Sequence, residues 1–308
     1  MDPTLLLLAQ TFNGLQLGVM LFLMAAGLTL VFGIMDFVNL AHGSLFMVGA
    51  YFASAIAGWT GSFLVGVLLA VPGSFLVGVV LEMLVLRRLY GRSHLDQVLA
   101  TFGLILFFNE VVRLLWGPAA LFFDPPAALK GQVEILPGAP YPAYRLAIIA
   151  VGLAVALALY LVISHSRVGM RIRAGASNRA IAEALGLDIG RLFTFVFGAG
   201  AALAGLAGLM MGPITSVEPG MGDPVLILAF VVIIIGGIGS VRGAFAAAIL
   251  VGLVDTLGRA FLPMLLRLAL SPSNADAAGP ALASMLIYVL MAGILFFRPQ
   301  GLFPARTG

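Results

Sequence analysis

Residues 192–212 read LFTFVFGAGAALAGLAGLMMG, an apolar run without one charged residue in which small residues recur at four-residue spacing. About 20 such residues carry a helix across the hydrocarbon of a bilayer. Within lipid, helices approach through small residues, because acyl chains solvate Leu as well as another Leu does. Ala201/Gly205, Ala204/Gly208 and Gly208/Gly212 put those residues along one helical face. The spacing predicts a transmembrane helix packed inside a bundle, and pore lining is the other reading it allows.

Further apolar segments fall at 11–33, 44–58, 63–86, 96–115, 144–164, 225–239, 243–262 and 283–297. Together with 192–212 they give eight or nine spans, depending on whether the short ones at 44–58 and 225–239 cross fully. The chain is 62% hydrophobic and 9% charged, too little charge to coat a soluble protein of its length. The expected fold is therefore an all-α polytopic bundle, one membrane domain over residues 1–308. The absence of cysteine excludes disulfides and thiol chemistry within the chain. The net charge of +3 sits in loops and does not point to nucleic acid. The opening MDPTLLLLAQTFNG has no basic n-region and carries Asp2, so the first span is expected to be retained rather than cleaved.

Basic residues set the orientation, since cytoplasmic loops are enriched in Lys and Arg. Placing the 87–95 and 165–191 loops inside gathers Arg87, Arg88, Arg92, Arg167, Arg171, Arg173, Arg179, Arg191, Arg242, Arg298 and Arg306 there, eleven of the sixteen basic residues. Arg113, Lys130, Arg145, Arg259 and Arg267 remain outside or near it. Strict alternation then puts the C-terminus inside and the N-terminus outside. The outer loop 122–142, rich in Pro and Gly, reads as an extended connector or a docking surface.

Charges inside spans are costly, and most here have a partner in sequence. Glu110 has Arg113 at i+3, Asp255 has Arg259 at i+4, and Glu82 lies near Arg87 and Arg88. Asp36 ends the first span. No carboxylate stands obviously free at mid-membrane, which argues against an ion-driven carrier.

Two spans are interrupted: MDFVNLAHGSLFMVGAYFAS (35–54) and IIIGGIGSVRGAFAAAILVG (233–252). Irregular backbone at membrane depth survives only where protein or a wet cavity satisfies it, and paired interruptions point to a transporter's substrate route. Asn39, His42, Gly43, Gly236, Gly237 and Gly239 are the candidate path residues; two tight cytoplasmic turns are the competing reading. No second His, Glu or Cys stands at metal-ligand spacing to His42, and no nucleophile–base pair is visible, so neither a metal nor a catalytic site is expected.

Before the opening run lies RVGMRIRAGASNRAIAEALGLDIGRLF (167–193). Ser177 can cap a short helix over 178–185, with Gly186 at its end. Ala180, Ile181, Ala184 and Leu185 form an apolar stripe, and Arg179 and Glu183 an i,i+4 pair. Such a helix rests on headgroups or fits a protein groove; eight residues offer little to lipid alone, which favours the groove. The only lysine, Lys130, is in an outer loop, and no G-x-x-x-x-G-K-[ST] exists. Any ATP hydrolysis would have to come from another subunit.

GLTLVFGIMDFVNLAHGSLFMVGAY (27–51), RVGMRIRAGASNRAIAEALGLDIGRLFTFVFGAGAALAGLAG (167–208) and GGIGSVRGAFAAAILVG (236–252) resemble, in order, the shorter permease of branched-chain amino acid ABC importers. The N-L-A-H-G and G-G-I-G-S-x-x-G elements carry the specificity together. The resemblance implies a non-enzymatic subunit of the bacterial inner membrane, in contact with lipid and paired with a second, similar permease. It further implies two cytoplasmic ATPase subunits, which use ATP and Mg, a periplasmic solute-binding protein, and no cofactor in this chain. The loop over about 165–191 is similar to the segment that couples to the ATPase. Arg173, Ser177, Asn178, Arg179, Ala182, Glu183 and Gly186 are its candidate residues, with Ala182-Glu183-Ala184 a degenerate form of the family signature. The solute implied is a branched-chain or other hydrophobic amino acid. The alternative is an ion-coupled carrier or passive channel for a solute such as urea or an amide.

Overall fold

The computed structural model describes residues 3–136 and 138–303; Asp2 and Arg306 lie outside them. Each apolar segment of the sequence becomes a helix: α1 (Pro3–Met35), α2 (His42–Thr60), α3 (Phe63–Leu84), α4 (His94–Trp116), α5 (Ala143–His165), α8 (Ile189–Met211), α9 (Gly222–Gly236), α10 (Val241–Leu266) and α11 (Pro272–Phe297). Two short helices, α6 (Arg167–Ser177) and α7 (Arg179–Ala184), fill the charged stretch. Among the described residues, seven helices are long and apolar enough to cross a membrane, namely α1, α3, α4, α5, α8, α10 and α11. The outer loop is more ordered than a bare connector, because β1 (Gln132–Leu136) and β2 (Ala139–Pro142) pair antiparallel within it.

The most enclosed helices are α1 and α8, around which α2, α3, α9 and α10 are arranged. The small residues of α8 explain how closely they approach. A Cβ on Gly208 would overlap the carbonyl oxygen of Phe46 in α2, and one on Gly205 would run into Ser74 of α3. Packing therefore accounts for the run that opened the sequence. Dispersion between touching backbones stands in for the hydrophobic drive that lipid removes.

Cross-contacts define two ends. At one, Tyr141 and Arg145 both donate to the Asn13 amide oxygen, at 2.9 and 2.6 Å. At the other, Arg179 donates to the carbonyl of Ile34, in the last turn of α1, at 2.8 Å. The alternation holds along the chain, and the ten described arginines assigned to the inside all belong to the α6–α7 end. We call this the basic end and its opposite the far end.

The interruptions differ from each other. Met35 is followed by Asp36 in left-handed conformation, φ 51°, where the chain reverses. Apart from Gly, Asp and Asn are the residues that occasionally adopt that region, because a short polar side chain can hydrogen-bond locally. The chain then climbs back along the first turns of α4, with the N–H groups of Val38 and Leu40 held by Gln97 Oε1 and Thr101 Oγ1, both at 3.2 Å. His42, the first residue of α2, sits 3.2 Å through Nε2 from the carbonyl of Met24. Met24 precedes the end of α1 by about 16 Å of helix, so α2 starts deep inside the bundle.

The second interruption takes the competing reading, a tight turn. Gly236, Gly237 and Gly239 form a tight turn at the basic end, with Gly237 and Gly239 at φ 99° and 80°. There Leu302 and Phe303 strap across, donating to the carbonyls of Ile235 and Gly236 at 2.8 and 3.0 Å. The irregular entry that matches 36–41 instead precedes α9. From the Leu121–Val217 bridge at the far end, residues 217–221 descend to Gly222, which meets Gly43 backbone to backbone. With 15 residues, α9 reaches only about 22 Å and cannot cross alone.

Candidate functional site

Two regions carry the candidate residues. The first is the elbow at the basic end. Ser166 caps α6, accepting from the N–H of Gly169 at 3.0 Å, and a Cβ on Gly169 would overlap the last carbonyls of α5. The turn is therefore sharp, and it lays α6 back against α1 and α8 through Ile172 and Gly175. Arg173 reaches back to the carbonyl of Ile163.

Two details of α7 depart from the sequence reading. Its cap is Asn178, whose Oδ1 accepts from Ile181 N–H at 3.0 Å, whereas Ser177 is the last residue of α6. The Arg179–Glu183 pair does not form, because Arg179 has better partners in the fold. Besides the Ile34 carbonyl it covers the face of Phe193, 5.1 Å from the ring centroid. Glu183 is exposed and has no ion-pair partner among the described residues. Ala182 is buried beneath the helix, while Gly186, at φ 85°, turns the chain away.

The apolar stripe therefore points outward. Ile181 is 59% and Leu185 83% exposed, on a helix whose opposite side is pinned to the bundle. An unpartnered apolar edge on a basic elbow suits a groove in another protein.

Behind Arg179 lies a buried polar knot that sequence reasoning caught only in part. Glu82 is fully enclosed and accepts from Arg87 (3.0 Å), Tyr90 (2.9 Å) and Thr194 (2.8 Å). The Tyr90 ring stacks edge-on against both Phe193 and Phe37, at 5.4 and 5.6 Å. Burial first, then the Glu82 charge, holds the Tyr90 hydroxyl well above the usual phenol range. Arg179, Phe193, Tyr90 and Phe37 thus form one contiguous path from α7 to the re-entrant stretch. Aromatic spacing over a hundred residues of chain leaves no local signal, which is why the sequence did not reveal it.

The second region is the meeting of α2 and α9. Asn39 and His42 are fully buried and Ser44 nearly so. Both amide atoms of Asn39, Nδ1 of His42 and Oγ of Ser44 have no hydrogen-bond partner among the described residues. Asn39, His42 and Gly43 are thus brought together. Gly236, Gly237 and Gly239 are not with them: Gly239 packs on Gly33, nearer the basic end. The pairs Glu110–Arg113 and Asp255–Arg259 form as expected, at 3.0 and 2.8 Å. The expectation that no carboxylate is free at depth does not hold. Asp223, in the first turn of α9, is partly exposed and has no ion-pair partner among the described residues. The Asp-Pro in GMGDP (220–224) was the available clue, since Pro is favoured in a first helical turn and so marks a helix start.

No group of three or more His, Cys, Asp or Glu suited to a metal occurs among the described residues. Seven spanning helices, two helices that start inside the bundle, and a basic elbow with an open apolar edge define a multi-pass membrane permease subunit.

The chain belongs to the family described as branched-chain amino acid transport system / permease component, whose model matches residues 10–295. It is 30% identical to the high-affinity branched-chain amino acid transport system permease protein LivH of Escherichia coli (strain K12), over 96% of this chain and 97% of that protein. LivH of Salmonella typhimurium is 29% identical at the same coverage. The BraD permease of Pseudomonas aeruginosa is 29% identical over 96% of this chain and 95% of its own length. No solved structure matches the chain. The protein is accordingly the membrane-spanning permease component of an ABC importer, multi-pass in the inner membrane.

Proposed function

We propose that the protein passes a branched-chain or other hydrophobic amino acid inward, received from a periplasmic solute-binding protein and driven by ATPase subunits at the basic end. A second, similar permease completes the passage, and two cytoplasmic ATPases use ATP and Mg. The segment 165–191 is the coupling element: Arg173, Arg179 and Ala182 hold it against the bundle, Ser177 and the cap Asn178 join its two helices, and Gly186 ends it. Glu183 and the Ile181/Leu185 edge face the ATPase. Asn39, His42 and Gly43 line the passage at depth, and the Gly236–Gly239 turn closes it toward the basic end.

The observation that carries this reading is the exposed Ile181 and Leu185 on a helix locked from behind by Arg179. An isolated carrier has no use for such an edge. Co-expression with the cognate ATPase and second permease, followed by reconstitution, tests it. ATP-dependent leucine uptake is expected only when all subunits are present. Vigorous uptake by vesicles holding this chain alone would overturn the proposal.

A further inference from the structure

We infer that the junction of α2 and α9 is a recognition site for a zwitterionic amino acid, with the α2 N-terminus and Asn39 taking the carboxylate and Asp223 taking the ammonium group. This rests on the amino-acid reading above and adds the residues that would read the two charges.

A helix N-terminus presents unpaired N–H groups and a partial positive charge. Half-length membrane helices direct that end at anionic substrate groups near the bilayer midplane. Six other helices of this chain silence it with a side-chain cap: Ser62, Ser93, Ser166, Asn178, Asp188 and Ser240. At α2 and α9 the capping positions, Ala41 and Met221, supply no side-chain hydrogen bond. α5 and α11 are uncapped too, but they begin at the far end. Among the described helices with a resolved capping position, only α2 and α9 bring uncapped starts together inside the bundle.

Around that junction lie polar groups with nothing to bind. The Asn39 side chain is fully buried with its donor and acceptor both unpaired among the described residues, and the Ser44 hydroxyl is likewise without a partner among them. Leaving such groups unmet in a low-dielectric interior is costly, so each calls for a ligand or a functional cause. The roles follow from the chemistry. The Asn39 amide N–H₂ and the Ser44 hydroxyl donate to a carboxylate. When His42 donates through Nε2 to the Met24 carbonyl, its Nδ1 is an acceptor and cannot serve a carboxylate. Asp223 follows the glycine that touches Gly43 and has no ion-pair partner among the described residues. It offers an α-ammonium group its counter-ion. Urea or a simple amide would leave Asp223 uncompensated.

The site is closed in this conformation. A Cβ on Gly43 would stand 2.8 Å from the carbonyl oxygen of Gly222, and Asn39 is fully buried, so the junction must open before it takes a solute.

The test uses the assembled transporter without its binding protein. Binding of radiolabelled L-leucine is competed by 4-methylpentanoate, which lacks the ammonium group, and by 3-methylbutylamine, which lacks the carboxylate. Each is expected to compete at least about tenfold more weakly than leucine. Asp223→Asn should weaken leucine by roughly 10- to 100-fold, the range of a lost charged hydrogen bond, and leave 4-methylpentanoate unchanged. Asn39→Leu should weaken leucine and 4-methylpentanoate and spare the amine. Asp223→Glu, which keeps the charge, should restore discrimination. If Asn39→Leu fails to assemble, Asn39→Asp serves, and should reject 4-methylpentanoate while accepting the amine.

The inference is overturned if Asp223→Asn affects leucine and 4-methylpentanoate equally, or neither. It is also overturned if urea competes as well as leucine. ATP-driven leucine uptake, assayed with the binding protein present, separates the two claims. Wild-type uptake that persists in both variants refutes the site alone, and no wild-type uptake refutes the amino-acid reading with it.

Discussion

Arg179 is the fastening of α7, and its loss should release that helix from the bundle without unfolding the rest. Two interactions go with Arg179→Leu. One is the 2.8 Å hydrogen bond to the Ile34 carbonyl, made by a guanidinium still partly exposed to water and so worth about 1 kcal/mol, the net value of an ordinary hydrogen bond. The other is the contact with the Phe193 face, 5.1 Å from its centroid and worth about 1 kcal/mol. Their sum, about 2 kcal/mol, multiplies the undocked population roughly 30-fold. Hydrogen–deuterium exchange reads this directly. Amides of residues 179–187 should exchange about 30-fold faster in Arg179→Leu, while those of α8 beyond its first turns stay as slow as in the wild type. ATP hydrolysis by the assembled complex should continue, with uptake per ATP reduced. Glu183→Lys is the control: Glu183 has no partner within the described chain, so exchange should not change although coupling suffers. Wild-type protection in Arg179→Leu, or faster exchange in Glu183→Lys, would refute the anchoring argument.

Gly208→Leu should block assembly of the bundle, since even a Cβ there overlaps Phe46. Overpacking costs about 1–3 kcal/mol where neighbours can shift and more where the obstacle is backbone; thermal unfolding in detergent at the wild-type temperature would contradict it. Substitutions at the Glu82 knot should be unequal. Arg87→Leu leaves a fully enclosed carboxylate without its cation and should cost about 3 kcal/mol, whereas Glu82→Leu frees an arginine already 45% exposed and should cost less. Paired chemical-denaturation curves give the order, and the reverse order sinks the reasoning. Tyr90 predicts an alkaline limit. Its folded pKa lies above the ordinary 10.0, so the stabilisation is complete below pH 10 and is lost as pH climbs toward the folded value. Tyr90→Phe should flatten the pH dependence of stability above 10. Part of the slope remains from Tyr141, which burial raises against the opposing pull of Arg145. An unchanged slope in Tyr90→Phe would show that the phenol is not held neutral by the fold.

The spans were legible because hydrocarbon thickness fixes length and lipid fixes composition, so each apolar segment returned as a helix, although α1 and α11 begin well before the expected 11 and 283, at Pro3 and Pro272. The small-residue face of α8 was legible for the same reason. What escaped the sequence was depth. Gly236–Gly239 and the stretch after Asp36 carry similar Gly-rich, polar signals, yet one is a surface turn and the other re-enters the bundle. The difference lies in tertiary partners, Gln97 and Thr101 for Val38 and Leu40, and Ile235 and Gly236 for the residues at 302–303. Spacing on a helix likewise suggested Arg179–Glu183. An i,i+4 pair on an exposed surface gains only about 0.5 kcal/mol, so a helix terminus and an aromatic face outcompete it.

The clasp of Leu302 and Phe303 over the end of α9 bears on how the protein is made. Helix α9 is too short to be inserted on its own length, and the main-chain bonds that hold its last carbonyls come from residues translated well after it. While the ribosome is still producing α10 and α11, that short helix has neither a full crossing nor its final tether. The bonds to the carbonyls of Ile235 and Gly236 can therefore form only after α10 and α11 have been made.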